Sequence, residues 1–298
     1  MTKKFLFALL YATRVMRFVA WLNRNKVTIL CYHSVTPRPS DSENDPHKLH
    51  LQVDDFQKHL DYLQTHYQII SLAEFVRAHR AQSKLPANAT ILTFDDGARN
   101  FLTVVAPILR ERGIPATSFV VTGASFTPKD SDLNGHWSPA DDNSYLSWSE
   151  IKKLADKGFD FGSHTCNHHA LPDIPLSKAQ DELERSLRTL EAYLGPASFP
   201  LSFPHGKTSA AISEISRSLE YSCALTTALG KNDMQSDLYA LRRTVIASDD
   251  TLPTFVARLS GVTFLYNQVY SLFNRRPRPV CEPTTIPYER MVAEKFEA

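Results

Sequence analysis

From residue 27 onward the chain alternates short β-rich runs with amphipathic helical stretches, and this rhythm constrains the fold more than any other feature of the sequence. The run 27–32 (VTILCY) has the continuous apolar character of a strand buried on both faces. Segment 56–66 places Phe56, Leu60 and Leu63 on one helical face and takes Asp54 or Asp55 as its cap, and Ser71 caps a second helix over 72–80. Strand 90–94 ends in an Asp-Asp-Gly triplet, and helix 101–112 is closed by Gly113. There follow strand 116–121, helix 149–157, strand 159–163, and a long helix from a Ser177 cap to Leu194. Strand 198–203, helix 210–219, strand 221–226, strand 241–246 and helix 251–259 complete the series. Such alternation means a parallel sheet covered by helices. About seven units suit an α/β architecture of the distorted (β/α) barrel type better than an open sheet. No internal repeat is visible.

Two polar insertions, 37–50 and 127–147, follow strand ends, where barrel enzymes build their sites; each is read as a substrate loop or as a plain surface loop. The formal net charge of +1 supplies no field that would draw the chain to nucleic acid. Four cysteines (Cys31, Cys166, Cys223, Cys281) form no CxxC pair, which argues against a disulfide framework and against a structural zinc knuckle. The first 26 residues mix Lys3, Lys4, Arg14, Arg17 and Arg24 with Phe5, Leu9, Tyr11, Phe18 and Trp21. Their apolar run is too short to span a bilayer and no small-x-small cleavage site follows it. A basic amphipathic helix in a membrane interface fits, as does a helix packing on the domain; the stretch 264–278 has a similar character.

Three features sit directly after strands, and in a barrel such positions converge on one face. The first is Asp95-Asp96-Gly97: adjacent carboxylates are costly neighbours unless a cation or proton relieves them, although the triplet alone is a common turn. The second is His164-Thr165-Cys166-Asn167-His168-His169, in which a His-x-x-x-His spacing lets two imidazoles reach one ion. Joined by a carboxylate from another strand end, they would make a two-His-one-carboxylate site with positions open for water and substrate. The third is Phe203-Pro204-His205-Gly206, a turn able to present a backbone N–H to an oxyanion.

Together, TFDDG (93–97), HTCNH (164–168) and FPHG (203–206) resemble the three leading motifs of the polysaccharide deacetylases, the NodB-homology or carbohydrate esterase family 4 group. The opening strand ILCYHSV (29–35) resembles the circularly permuted branch typified by poly-N-acetylglucosamine deacetylases. The resemblance implies a NodB-like deacetylase barrel over 27–261, with 1–26 as an N-terminal helix and 262–298 as a helical or extended tail. It implies Asp95 as general base, Asp96, His164 and His168 as metal ligands, His205 as the oxyanion-binding turn residue, and His33 as general acid. It does not make Cys166 or His169 a ligand. The cofactor expected is a divalent metal ion, zinc first, with cobalt, nickel, manganese and iron compatible with the same donors.

The family often places an arginine where this chain has Ser202, so Arg242 or Arg243 is the expected substitute as a partner for Asp95. No Leu-x-x-His motif is evident near the end of the domain, which leaves the acid role to His33. The implied activity is removal of an N-acetyl group from an amino sugar of a polysaccharide or oligosaccharide. Deacylation or deformylation of a lipid-linked amino sugar at the membrane surface is the alternative, and a non-catalytic carbohydrate-binding module is the alternative of another class. A cytoplasmic location, or a peripheral one at the inner membrane, is favoured over a secreted or periplasmic one.

Overall fold

The computed structural model describes residues 3–37, 45, 47–126 and 145–273. The chain opens with α1 (Lys3–Ala12) and α2 (Val15–Leu22), then β1 (Thr28–Tyr32), β2 (Ser34–Thr36), β3 (His50–Gln52), α3 (Val53–His66), β4 (Gln68–Ile69) and α4 (Leu72–Arg80). Next come β5 (Ala89–Phe94), α5 (Ala106–Glu111), β6 (Thr117–Val120), α6 (Trp148–Ala155), β7 (Asp160–Ser163) and α7 (Leu176–Leu194). The last elements are β8 (Leu201–Ser202), α8 (Ala210–Ser218), β9 (Ala224–Leu225), β10 (Thr244–Val245), α9 (Leu252–Ser260) and α10 (Val262–Phe273).

All pairings in the main sheet are parallel, in the order β10-β1-β5-β6-β7-β8-β9, with β4 added against β5. The sheet curls until its ends meet through one stretch of chain. Leu241 bridges Leu225 of β9, and three residues on, Thr244 and Val245 pair with Leu30 and Cys31 of β1. This is the barrel of the NodB type, with helices outside.

β1 and β5 have no exposed residue, as parallel strands covered on both faces require. Side chains alternate along them. Ile29, Ile91, Phe119, Leu225 and Leu241 fill the interior, closed from one end by Phe75 and Val76 of α4. Leu30, Tyr32, Leu92, Phe94 and Val120 face the helical layer. The interior series therefore continues from Ile29 through Cys31 to His33, and from Ile91 through Thr93 to Asp95. Gly162 of β7 leaves room for the Phe119 ring, since a Cβ there would lie 2.6 Å from it.

Several boundaries differ from the sequence expectation. The helix expected to be capped by Asp54 or Asp55 starts at Val53, with Gln52 at the cap making no side-chain bond; both acids lie in the first turn and interact with the helix dipole instead. The long helix begins at Leu176 after Pro175, not at a Ser177 cap. The 101–112 helix opens with a π-helical turn, Phe101–Val105, because Pro107 has no N–H to continue the α ladder. Ser71 does cap α4, accepting the Glu74 N–H, and Ser147 with Glu150 forms a capping box at α6. The N-terminal region is two helices bent by 83°, not one. Of the two insertions, only Pro37, Asp45, residues 47–50 and residues 145–147 are among the described residues. Cys281 and the rest of the tail beyond residue 273 also lie outside them.

Candidate active site

Asp95 and Asp96 follow β5, His33 follows β1, His164 follows β7 and His205 follows β8, so all five arrive at the end of the barrel formed by the strand C-termini. Asp95 continues the interior series and is buried with its carboxylate against Arg243. The Arg243 guanidinium donates from Nη1 to Oδ1 and from Nη2 to Oδ2, both at 2.7 Å. Ser202 Oγ donates to Oδ2 at 3.1 Å while accepting from Nη2 at 2.8 Å, and the Cys31 thiol lies 3.5 Å from the same oxygen. Arg243 also donates from Nε to the Thr226 carbonyl, at 3.0 Å. Burial raises the Asp95 pKa, but Arg243 and His164 outweigh it and hold the carboxyl well below the usual range. Of the two arginines weighed from sequence, Arg243 points in and Arg242 is exposed.

Asp96 has left-handed backbone (φ 71°) and turns away from its neighbour. Its Oδ1 lies 3.4 Å from Nε2 of His164 and 3.4 Å from Nε2 of His168. Thr165 (φ 65°) and His168 (φ 59°) are also left-handed, which winds the loop tightly enough for both rings to reach one point. His164 Nδ1 lies 2.8 Å from the Ser202 carbonyl and donates to it, so its Nε2 carries a lone pair in the neutral ring. A lone pair facing a carboxylate oxygen needs a cation or a proton between them. The electrostatics agree. Burial raises Asp96, yet the hydrogen bonds of His164 and His168 pull it well below the ordinary value; burial lowers His164, yet Asp95 and Asp96 raise it. Asp96, His164 and His168 have ligand atoms all within 4.8 Å of one another, a donor set that fits a divalent metal ion.

His33 sits beside this pair, with a ligand atom within 4.8 Å of Cys31 Sγ and an Asp95 oxygen. Its Nδ1 is buried with no hydrogen-bond partner. Burial lowers its pKa, opposed by Asp96 and Asp95. His205 has left-handed backbone (φ 56°), and its ring meets that of His168 edge-on with centroids 4.9 Å apart. Burial and the two neighbouring histidines lower His205 to about 4.

Three contributors were missed from sequence. Ser202, noted there only for occupying the arginine's place, holds both Asp95 through its hydroxyl and His164 through its carbonyl. Cys31 lies against Asp95, and the alternation of β1 that carries His33 inward could have indicated it. Glu182 of α7 is buried, and its Oε2 accepts the backbone N–H groups of Cys166 (3.1 Å) and Asn167 (2.8 Å), pinning the loop between the two histidines. Its signal was a carboxylate on the apolar stripe of Ala179, Leu183 and Leu190.

A parallel barrel with paired carboxylates and two imidazoles at its C-terminal rim has the architecture of the NodB-like class of folds. Residues 82–224 match the family model described as polysaccharide deacetylase. Similarity to the polysaccharide deacetylase family thus runs through the centre of this chain. The Bacillus subtilis (strain 168) protein YxkH, which carries a polysaccharide deacetylase name, is 24% identical over 228 residues, covering 75% of this chain and 74% of its own length. The poly-beta-1,6-N-acetyl-D-glucosamine N-deacetylase of Escherichia coli (strain K12) is 35% identical over 104 residues, 35% of this chain but 16% of that protein. Among solved structures, a Streptococcus pyogenes deacetylase in complex with acetate superposes with a TM-score of 0.67 at 24% identity, covering 78% of this chain and 98% of that one. A structure from Ammonifex degensii gives 0.63 at 21% identity, covering 79% and 97%.

Proposed function

We propose that this protein removes N-acetyl groups from an amino-sugar glycan, with a divalent metal ion held by Asp96, His164 and His168. The observation that carries the reading is the division of labour between two adjacent carboxylates. Asp95 is locked onto Arg243, whereas Asp96 faces the two imidazoles of His164 and His168. A metal ion bound there supplies Lewis acidity, polarising an acyl carbonyl and acidifying a water. Zinc is the first choice for two imidazoles and one carboxylate.

The remaining steps fall to the chain's own residues. Asp95 takes the proton of the attacking water. Its Oδ2 already accepts from Arg243, Ser202 and the Cys31 thiol, so Oδ1, with one donor, is the atom that retains a free lone pair. Arg243 keeps this base ionised and fixes its plane. The backbone N–H of His205, on the left-handed turn, is assigned to the developing oxyanion. His33 is assigned to deliver a proton to the departing amine; an amide nitrogen is otherwise a very poor leaving group. The name of the Escherichia coli relative makes a β-1,6-linked N-acetylglucosamine oligomer the first substrate to test.

The test is acetate release from such an oligomer by zinc-loaded protein. His168→Ala is expected to lose both stoichiometric metal and turnover. His33→Ala should keep the metal and lose about 10²–10⁴-fold in rate. Bound metal with no acetate released from any amino-sugar glycan would turn the reading into a binding module, and release confined to a lipid-linked sugar would change its substrate.

A further inference from the structure

The first Asp or Glu in the sequence is Asp41, so α1 and α2 carry only cations. Their inner faces belong to the core: Phe7 and Met16 are fully buried with Phe255, Val256 and Leu259 of α9, and Asn23 Nδ2 donates to the Ser260 carbonyl at 3.1 Å. Their outer faces are not covered. Phe5, Leu9, Tyr11, Val15, Phe18, Trp21 and Leu22 are each between 37% and 61% exposed, and α10, which meets α1 through the Phe7–Tyr266 ring contact, adds exposed Leu265 and Val269. Seven large apolar side chains exposed within eighteen residues exceed the scattered exposure normal for a soluble surface.

The bend between the helices falls at Arg14, whose backbone is left-handed (φ 59°). A cavity of about 260 Å³ opens there, lined by Tyr11, Arg14, Arg17, Tyr62, His66 and Val256 among others, with no carboxylate in its wall. No ion pair among the described residues engages Arg14 or Arg17. Lys4, by contrast, reaches Asp249. The helices have 10 and 8 residues and meet at 83°, and no single described helix is long and apolar enough to cross a membrane.

We propose that the outer face of α1 and α2 docks on the surface of an anionic phospholipid bilayer, with Phe18 and Trp21 entering the headgroup–acyl boundary and Arg14 and Arg17 meeting lipid phosphates. Exposed rings and aliphatic chains with unpaired guanidiniums between them, and no acidic group, match that surface in both polarity and charge. A protein partner would need a complementary acidic and apolar face. This surface goes beyond the deacetylase reading and does not depend on it.

The experiment is sedimentation of the full chain with phosphatidylcholine vesicles, with and without about a third phosphatidylglycerol. Binding to the anionic vesicles that weakens with salt is expected. The variant Arg14→Gln/Arg17→Gln should lose on the order of thirty-fold in partitioning. Phe18→Ser/Trp21→Ser should abolish binding while leaving the melting temperature and hydrolysis of a soluble oligomer unchanged. No sedimentation, or equal sedimentation of wild type and both variants, would overturn the proposal. So would a doubled mass in light scattering that Phe18→Ser/Trp21→Ser halves, which would give the face to a second copy. An inactive protein that still binds vesicles would count against the deacetylase reading alone.

Discussion

At the scale of single residues, the Asp95–Arg243 pair dominates. Both groups are buried, and each has the other as its charged partner. Removing one member of such a pair leaves an uncompensated buried charge, at a cost of about 3–5 kcal/mol. Asp95→Asn is therefore expected to destabilise the fold as well as stop turnover. Arg243→Met should cost a similar amount. The double variant should be more stable than the sum of the two losses predicts, as measured by urea unfolding; simple additivity would contradict the coupling. The sequence left Arg242 and Arg243 equivalent because the strand's phase was unknown. Alternation settles it once Leu241 is seen inside the barrel, since Arg243 shares its face. That two histidines would meet a strand-end carboxylate was legible from spacing and placement, whereas the choice of Asp96 came only with the family resemblance; the structure brings Asp96 within 3.4 Å of both rings.

At the scale of elements, the His164–His168 loop depends on α7. Two left-handed residues give it a shape that its own sequence does not favour, and the Glu182 carboxylate holds the central N–H groups in place. Glu182→Gln should weaken zinc binding about 10–100-fold, by the usual worth of outer-shell support, with helix content unchanged. Calorimetric titration with unaltered affinity would show that the loop holds itself. The strand–helix order was readable throughout, whereas element ends were not. Helix starts at Val53 and Leu176 follow from tertiary packing and a proline, not from a capping side chain, so the acid or serine nearest the start misleads. The bend at Arg14 was equally hidden, since nothing in that composition breaks a helix; Thr13 Oγ1 instead turns back to the Leu9 carbonyl at 2.9 Å.

At the scale of the whole molecule, His59 links three layers. Its ring on α3 stacks on Phe255 of α9 with centroids 3.7 Å apart, and its Nδ1 lies 3.5 Å from the Tyr32 hydroxyl on β1. Burial lowers its pKa from 6.5 to about 4. The unfolded chain therefore takes up this proton first, so stability falls as pH drops from 6.5 towards 4 and is unaffected above that window. The loss between about pH 7 and about pH 5 should be on the order of 2 kcal/mol, and His59→Phe should remove that part of it. Equal acid sensitivity of the two proteins would refute the assignment.

The closure of the barrel through residues 241–245 has one more implication. Asp95, just past β5, acquires its counterion from a residue 148 positions later, past the end of the segment that matches the family model. A growing or truncated polypeptide can thus possess the three motifs at 93–97, 164–168 and 203–206 while the Asp95 carboxylate is still unrestrained. On the proposed reading, a restrained carboxylate has to wait until residues 241–245 have closed the barrel.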